Sequence, residues 1–308
     1  MSELRTRWMT HLWRRLLGSP RVRSLRTDLR LLRTYGTRDP ERIGLVNSQN
    51  QIFVDPTDRR GRMIIRGLGR GLQPALRRIW HDAVLRLQPT IVLDVGVNYG
   101  EFLFAETYRT DAQLIGIEAN PRLERWISRS VALHPNREQI KMVYALASDR
   151  ADEQKSLYVT RGSSGTSSAV AHEERRDVDE VSVTAVTIDS LFEGRDLSAD
   201  TLVFKIDTEG YEPVVLKGMR GTIARCGAML GLIEFDTQQL GPLGVDLDQL
   251  LREISEHFSI FMIDRAGRPT PLDQPSLHRM RELLGVQRIV TDLLLASRRD
   301  LFDRLQLR

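Results

Sequence analysis

Apolar residues along this chain follow two rhythms. Short unbroken runs, such as Ile91–Leu93, Leu114–Ile117 and Leu202–Phe204, alternate with stretches in which apolar positions recur every three or four residues. The runs predict strands buried on both faces, and the wider spacing predicts helices with one buried stripe. Strands are expected at 91–95, 113–118, 140–147, 201–206, 229–235, 258–263 and 291–296. Helices are expected near 100–109, 121–133, 212–225 and 246–257, and over 74–87, where Leu76, Ile79, Trp80, Ala83, Val84 and Leu87 share a face. Asn120-Pro121 opens one of these with a capping side chain and a first-turn proline. Right-handed crossovers joining such elements give an α/β fold with a doubly wound, mostly parallel sheet of seven strands.

Upstream, Leu4, Trp8, Leu12 and Leu16 recur every four residues among arginines, the pattern of a basic amphipathic helix. A second helix is expected from Ser19-Pro20 to about Thr34, with Val22, Leu25, Leu29 and Leu32 along one face. Gln51–Pro56 and Arg62–Arg66 read as a short β-hairpin around Thr57–Gly61, a segment able to serve as a lid or an acceptor wall. The chain therefore divides into an Arg-rich extension, 1–70, and a main domain, 71–308. Two further β-like runs, Lys155–Thr160 and Val181–Ile188, interrupt the main domain, separated by a flexible serine-rich loop at Arg161–Val170.

Composition narrows the picture only slightly. The 308 residues are 41% hydrophobic, enough for a core. The lone Cys226 excludes an intrachain disulfide and suits a reducing compartment. No run of about 18 apolar residues is present, so a cytoplasmic protein is expected, either free or peripheral to the inner face of the membrane. Charge is unevenly spread: residues 1–90 hold 19 Arg, no Lys and 7 acidic residues, a formal +12, against −8 for the remainder. Such an arm can meet anionic lipid, nucleic acid or an acidic acceptor, or it can pack on the acidic body. Nucleic acid is the least favoured of these, and oligomeric state is not encoded.

The candidate chemistry sits at strand ends. The run IVLDVGVNYG ends a strand in Asp94 and breaks into a turn at Gly96, Asn98 and Gly100. A second strand ends in Glu118, 22 residues after Gly96, where an acid can reach ribose hydroxyls. Asp149, beyond the third strand, is placed with this cofactor-binding set. The run LVFKIDTEGYEPVVLKGM ends another strand in Asp207, with Glu209 close behind, and Glu234 ends the next. These three acids are the candidate catalytic residues, with Asp207 the first choice of base and His172 a substitute. Burial and the neighbouring Glu209 are expected to raise the Asp207 pKa. Lys205 is expected to pair with an acid. Asp207, Glu234 and Asp236 are oxygen donors suited to magnesium, but they are read as hydrogen-bonding ligands and no metal is assigned.

The segments LDVGVNYG, IEANP, VTIDSL, KIDTEGYEPVVLKGM and LIEFD stand in the order found in FkbM-type methyltransferases, which this chain resembles from roughly Ile91 to Ser297. Val97 replaces the alanine usual in the family's first motif, and no carboxylate is lost. The resemblance implies a Rossmann-like methyltransferase sheet, S-adenosylmethionine as cofactor, and O-methylation of a hydroxyl on a sugar, glycolipid or polyketide-like acceptor. Two other readings remain. A nicotinamide-dependent oxidoreductase needs a tighter phosphate loop than GVNYG. A non-catalytic basic module for membrane or nucleic acid leaves both strand-end motifs unexplained.

Overall fold

The computed structural model describes residues 20–171, 177–264 and 266–307. The helix expected over residues 4–17, its successor's Ser19 cap and His172 lie outside these. The described chain starts with helix α1 (Pro20–Tyr35), an antiparallel hairpin of β1 (Arg42–Gly44) and β2 (Gln51–Phe53), and helix α2 (Arg59–Arg66). One expectation is corrected here, at Arg62–Arg66. Leu31 is the buried leucine of α1, while Leu25, Leu29 and Leu32 are 59%, 54% and 38% exposed. Polar ties choose the inward face: Asp28 pairs with Arg66, and the Tyr35 hydroxyl accepts the Gly44 amide at 3.1 Å. Arg62–Arg66 is helical rather than a strand, because Asp58 caps α2 by accepting the Gly61 amide at 3.0 Å. The partner of β2 therefore lies upstream, in β1.

Helix α3 (Pro74–Leu87) buries all six residues of the expected face. The main sheet follows with β3 (Ile91–Val95), β4 (Gln113–Ile117) and β5 (Ile140–Val143), the last two separated by helix α4 (Glu124–Leu133). Only a single 3₁₀ turn, Leu103–Ala105, forms where a helix near 100–109 was expected. Gly100 enters it in the left-handed region and Glu106 leaves it extended.

The expected strand 140–147 is split. Its second part, β6 (Leu146–Ala147), turns away to pair with β8 (Val178–Val186), which forms a hairpin with β7 (Gln154–Thr160). The sheet resumes with β9 (Thr201–Ile206), helices α5 (Glu212–Lys217) and α6 (Arg220–Arg225), and β10 (Ala228–Asp236). The single expected helix over 212–225 breaks at Gly218, where a Cβ would lie 1.9 Å from the Ser148 carbonyl oxygen. Helices α7 (Thr237–Leu240) and α8 (Leu247–Ser255), then β11 (Ser259–Ile263), β12 (Pro269–Pro271), helix α9 (Leu277–Leu284), β13 (Val290–Ala296) and helix α10 (Arg299–Leu305) complete the described chain.

Strand order is β12-β11-β13-β10-β9-β3-β4-β5, with β13 antiparallel to both of its neighbours. The eighth strand, β12, is a proline-bounded edge piece added to the seven expected, a position that tolerates proline. The chain winds outward from β3 in one direction and from β9 in the other, so the crevice opens at the carboxyl ends of these two neighbours. Apolar clusters cover both faces of the sheet. One holds Ile43, Ile52 and Ile64 together with Trp80, Phe104 and Leu294, so the N-terminal hairpin and α2 share the core of the main domain. Among the described residues no helix is long and apolar enough to cross a membrane.

Candidate active site

The floor of the crevice is the turn after β3. Gly96 adopts φ +81°, and a Cβ there would stand 1.9 Å from the Asp207 carbonyl oxygen, so the two strand-end motifs touch through backbone. Gly100 adopts φ +84° for a similar reason, since a Cβ would meet the Phe104 ring at 2.0 Å. Glu118, at the end of β4, accepts the Asn98 amide at 2.7 Å with one oxygen and the Asn120 amide at 2.8 Å with the other. Burial pushes its pKa up to about 7 despite these bonds. Asp94 is fully buried and accepts the Leu103 amide at 3.3 Å through Oδ2, while Oδ1 has no partner. Burial raises it to about 6, against the pull of Lys205.

Beside this floor runs a row of acids. Lys205 lies level with Asp94 on the adjacent parallel strand, and its Nζ donates to Asp207 Oδ2 at 2.7 Å. Glu234 in β10 is paired with Asp292 in β13. Side chains two apart on a strand share a face, so Lys205 and Asp207 point the same way. Asp207, Glu209 and Glu234 each bring a carboxylate oxygen within 4.8 Å of the other two. Burial would raise Asp207, but the charge and hydrogen bond of Lys205, with Arg60 behind it, hold it below the ordinary carboxylate value. The expected upward shift at Asp207 is thus reversed. It falls instead on Glu234, which burial and the surrounding acids hold well above its ordinary value, and on Asp292, raised to about 7 by burial and by Asp207.

The roof comes from distant segments. Asp58, besides capping α2, accepts the Ser164 amide at 2.7 Å and its hydroxyl at 2.9 Å. Arg60 reaches into the crevice and pairs with buried Glu101 at 2.7 Å. The serine-rich loop is therefore folded onto the site: Ser167 accepts from the Asn120 amide side chain at 3.3 Å, and the Ser168 hydroxyl donates to the Glu209 carbonyl at 2.8 Å.

Of the residues expected from sequence, Asp94, Gly96, Asn98, Glu118, Asp207 and Glu209 line one crevice. Gly100 shapes its turn and Glu234 adjoins its acid row. Asp149 is not brought in; it is exposed beyond β6 and outside the lining. Asp236 has structural partners, capping α7 at Gln238 and pairing with Arg288 at 2.7 Å. The carboxylate that braces the turn before Pro213 is Glu212, which is buried and accepts the Thr208 amide at 2.8 Å. Sequence reasoning missed Arg60, Glu101 and Asp292 as members of the site. The only local hint was the DPTDRRGRM segment, singled out as a lid or wall.

Several solved methyltransferase structures are similar to this chain at low identity. A putative O-methyltransferase from Klebsiella pneumoniae is 10% identical, covering 72% of this chain and 78% of its own, with a TM-score of 0.41. The O-methyltransferase TomG from Streptomyces achromogenes is 8% identical over 72% of this chain and 79% of its own, with a TM-score of 0.38. The METTL16 methyltransferase domain is 9% identical over 91% and 80%, with a TM-score of 0.40. No curated protein matches the sequence. The profile of the methyltransferase FkbM domain matches residues 94–258, from the buried acid of the floor to the start of β11. That span is more than half of the chain, and the chain belongs to the FkbM-domain methyltransferase family.

Proposed function

We propose that this methyltransferase moves the methyl group of S-adenosylmethionine to the oxygen of an uncharged hydroxyl, on a sugar, glycolipid or other polyhydroxylated natural product. The observation that carries this reading is the continuity of two acidic zones across Lys205. One lies under the glycine turn and the other at the mouth of β9 and β10. The first suits the cofactor. Asp94 Oδ1 and Glu101 Oε1 are buried acceptors without donors, a fit for the ammonium group of the methionine end. Glu118 lies within reach of ribose hydroxyls, and Ile117, Ala147 and Leu157 supply an apolar wall for the adenine. The bound cofactor supplies an electrophilic methyl carbon on a sulfonium. The same acids argue against a dinucleotide, whose pyrophosphate would face Asp94, Glu101 and Glu118.

The second zone suits a neutral acceptor. A phosphate or carboxylate placed beside Asp207, Glu209, Glu234 and Asp292 would be repelled, whereas a hydroxyl can donate to any of them. Asp207 is kept ionised by Lys205 and orients the hydroxyl by accepting its hydrogen bond. Glu234 has the higher proton affinity, so in its ionised form it takes the hydroxyl proton as the methyl group leaves the sulfonium. Incubation with methyl-labelled cofactor and hydroxylated acceptors, followed by product mapping, tests this directly. The expected label is on oxygen. Asp207→Asn and Glu234→Gln should each lower turnover about 10²–10⁴-fold while affinity for S-adenosylhomocysteine changes little. Label on nitrogen or carbon, or full activity in both variants, would remove the proposed chemistry.

The reading extends to location. Leu25, Leu29 and Leu32 form an exposed row on α1 with exposed Arg26, Arg30 and Arg33 beside it. An apolar stripe edged by arginine complements an anionic bilayer surface, which supports peripheral membrane contact.

A further inference from the structure

We propose that Arg60, on helix α2, binds the α-carboxylate at the methionine end of S-adenosylmethionine. The contact rests on the reading above that places this end beside Asp94 and Glu101, and it supplies the cation that the carboxylate needs there. Residue 60 lies upstream of the 94–258 span matched by the family profile, so the group comes from outside the family domain.

Charge comes first. The methionine end is a zwitterion, and its carboxylate must enter a crevice lined by Asp94, Glu101, Glu118, Asp207 and Glu209. Such a group is costly to desolvate unless a cation meets it. Among the described residues, the lining holds two cations, Lys205 and Arg60. Lys205 is buried, and its Nζ donates to Asp207 at 2.7 Å. Its charge also serves Asp94. Arg60 is the cation left.

Hydrogen bonding points the same way. Arg60 meets Glu101 through a single oxygen: Nε donates to Oε2 at 2.9 Å, and Nη2 lies 2.7 Å from the same atom. A guanidinium carries five donors in a fixed fork. Among the described residues Nη1 has no partner, and Glu101 Oε1 is unpartnered too. The base and the acid of one pair thus keep a spare atom each. The cofactor presents the opposite charges on one carbon. With the ammonium on Glu101, the carboxylate falls beside Arg60, and the four charges alternate.

The protein also fixes where this guanidinium sits. Asp58 caps α2 and is tied to Ser164. The next residue of that loop, Gly165, lies against the Arg60 stem, where a Cβ would stand 3.3 Å from Cδ. Arg60 nonetheless keeps 22% of its side chain exposed, so the clamp leaves one side open. A cation ordered in this way loses little freedom on binding.

Calorimetry on the full chain with two cofactors tests the contact. S-adenosylmethionine carries both charges, whereas its decarboxylated form keeps the ammonium and lacks the carboxylate. Wild type should bind the first roughly 10–100-fold more tightly, the span of a charge-assisted hydrogen bond. Arg60→Met should erase most of that preference. It should bind 5′-methylthioadenosine, which lacks the amino-acid end, as wild type does, showing that the fold and the adenosine pocket are intact. A structural role, or one exerted through Glu101, would change both cofactors by the same factor and keep the preference. That result, or equal affinity of wild type for the two, would overturn the contact. If Arg60→Met does not fold, the double variant Arg60→Met with Glu101→Gln leaves no unpaired buried charge and carries the same comparison. Asp94→Asn tests the placement underneath: it should weaken both cofactors alike, since both keep the ammonium. No effect of Asp94→Asn on either would strike that placement, while a preference lost in Arg60→Met would still assign the carboxylate to Arg60.

Discussion

Gly96 does more for the site than a residue without a side chain ordinarily can. Its left-handed backbone and the 1.9 Å approach of any Cβ to the Asp207 carbonyl make it the point where the cofactor turn and the acid row are held in register. Gly96→Ala should cost about 1–3 kcal/mol of stability from backbone strain and force the two loops apart. A fall in melting temperature together with a loss of S-adenosylhomocysteine affinity would confirm it; an unchanged affinity would separate the two motifs. Glu118→Ala should weaken cofactor binding by roughly 1–3 kcal/mol, measured by calorimetry. Such residues were legible because each sits at a fixed distance from an apolar run. Asp292 was not, since VTDLLLA places it inside a strand, and only the antiparallel register with Glu234 carries it to the site. The pKa direction at Asp207 was misjudged because Lys205 was expected to pair with some acid, while the sheet delivers it to this one.

At the level of elements, hydrophobic periodicity located the strands well and failed where polar side chains decide. It read Met63–Ile65 as part of a strand because β-branched residues favour one, yet the Asp58 cap starts a helix there. It grouped Leu25, Leu29 and Leu32 on one face of α1 but did not fix which way that face turns, which Asp28 and Tyr35 decide. The exposed row has its own consequence. Replacing Leu25 and Leu29 by Ser should abolish co-sedimentation with anionic vesicles and leave the melting temperature within about 1–2 °C, since neither side chain is buried. A large loss of stability would mean that the row is covered by protein. Asp58 joins two elements and predicts a different outcome. Asp58→Ala removes a helix cap and both bonds to Ser164, about 1–3 kcal/mol together. It should open the 161–171 loop to proteolysis while the rest of the chain resists; equal resistance in variant and wild type would show that the loop is held by other contacts.

For the whole molecule, the buried acids set a pH dependence of unusual sign. Asp94 at about 6 and Glu118, Glu212 and Asp292 at about 7 hold protons in the folded state that the unfolded chain releases near pH 4. The folded state therefore binds more protons between about pH 4 and 7, and stability falls as pH rises through that window. Asp207, held low by Lys205, acts in the opposite sense, but only as pH drops below the ordinary carboxylate range. The melting temperature should peak in mildly acidic buffer and decline toward pH 8. Asp292→Asn should flatten the decline and raise stability at pH 8 by about 1–3 kcal/mol. A melting curve that climbs steadily to pH 8 would contradict the buried, raised carboxyls.

The shared core also bears on how the chain is made. Strand β2, which carries Ile52, packs against the 3₁₀ turn Leu103–Ala105 and helix α4, residues that leave the ribosome about 50–80 positions later. At about 5–20 residues per second, the early strand waits on the order of 3–16 s for partners. The boundary near residue 70 is therefore a poor place to cut the gene, and a chain stalled before α4 would present its oldest segment to chaperones as unfinished.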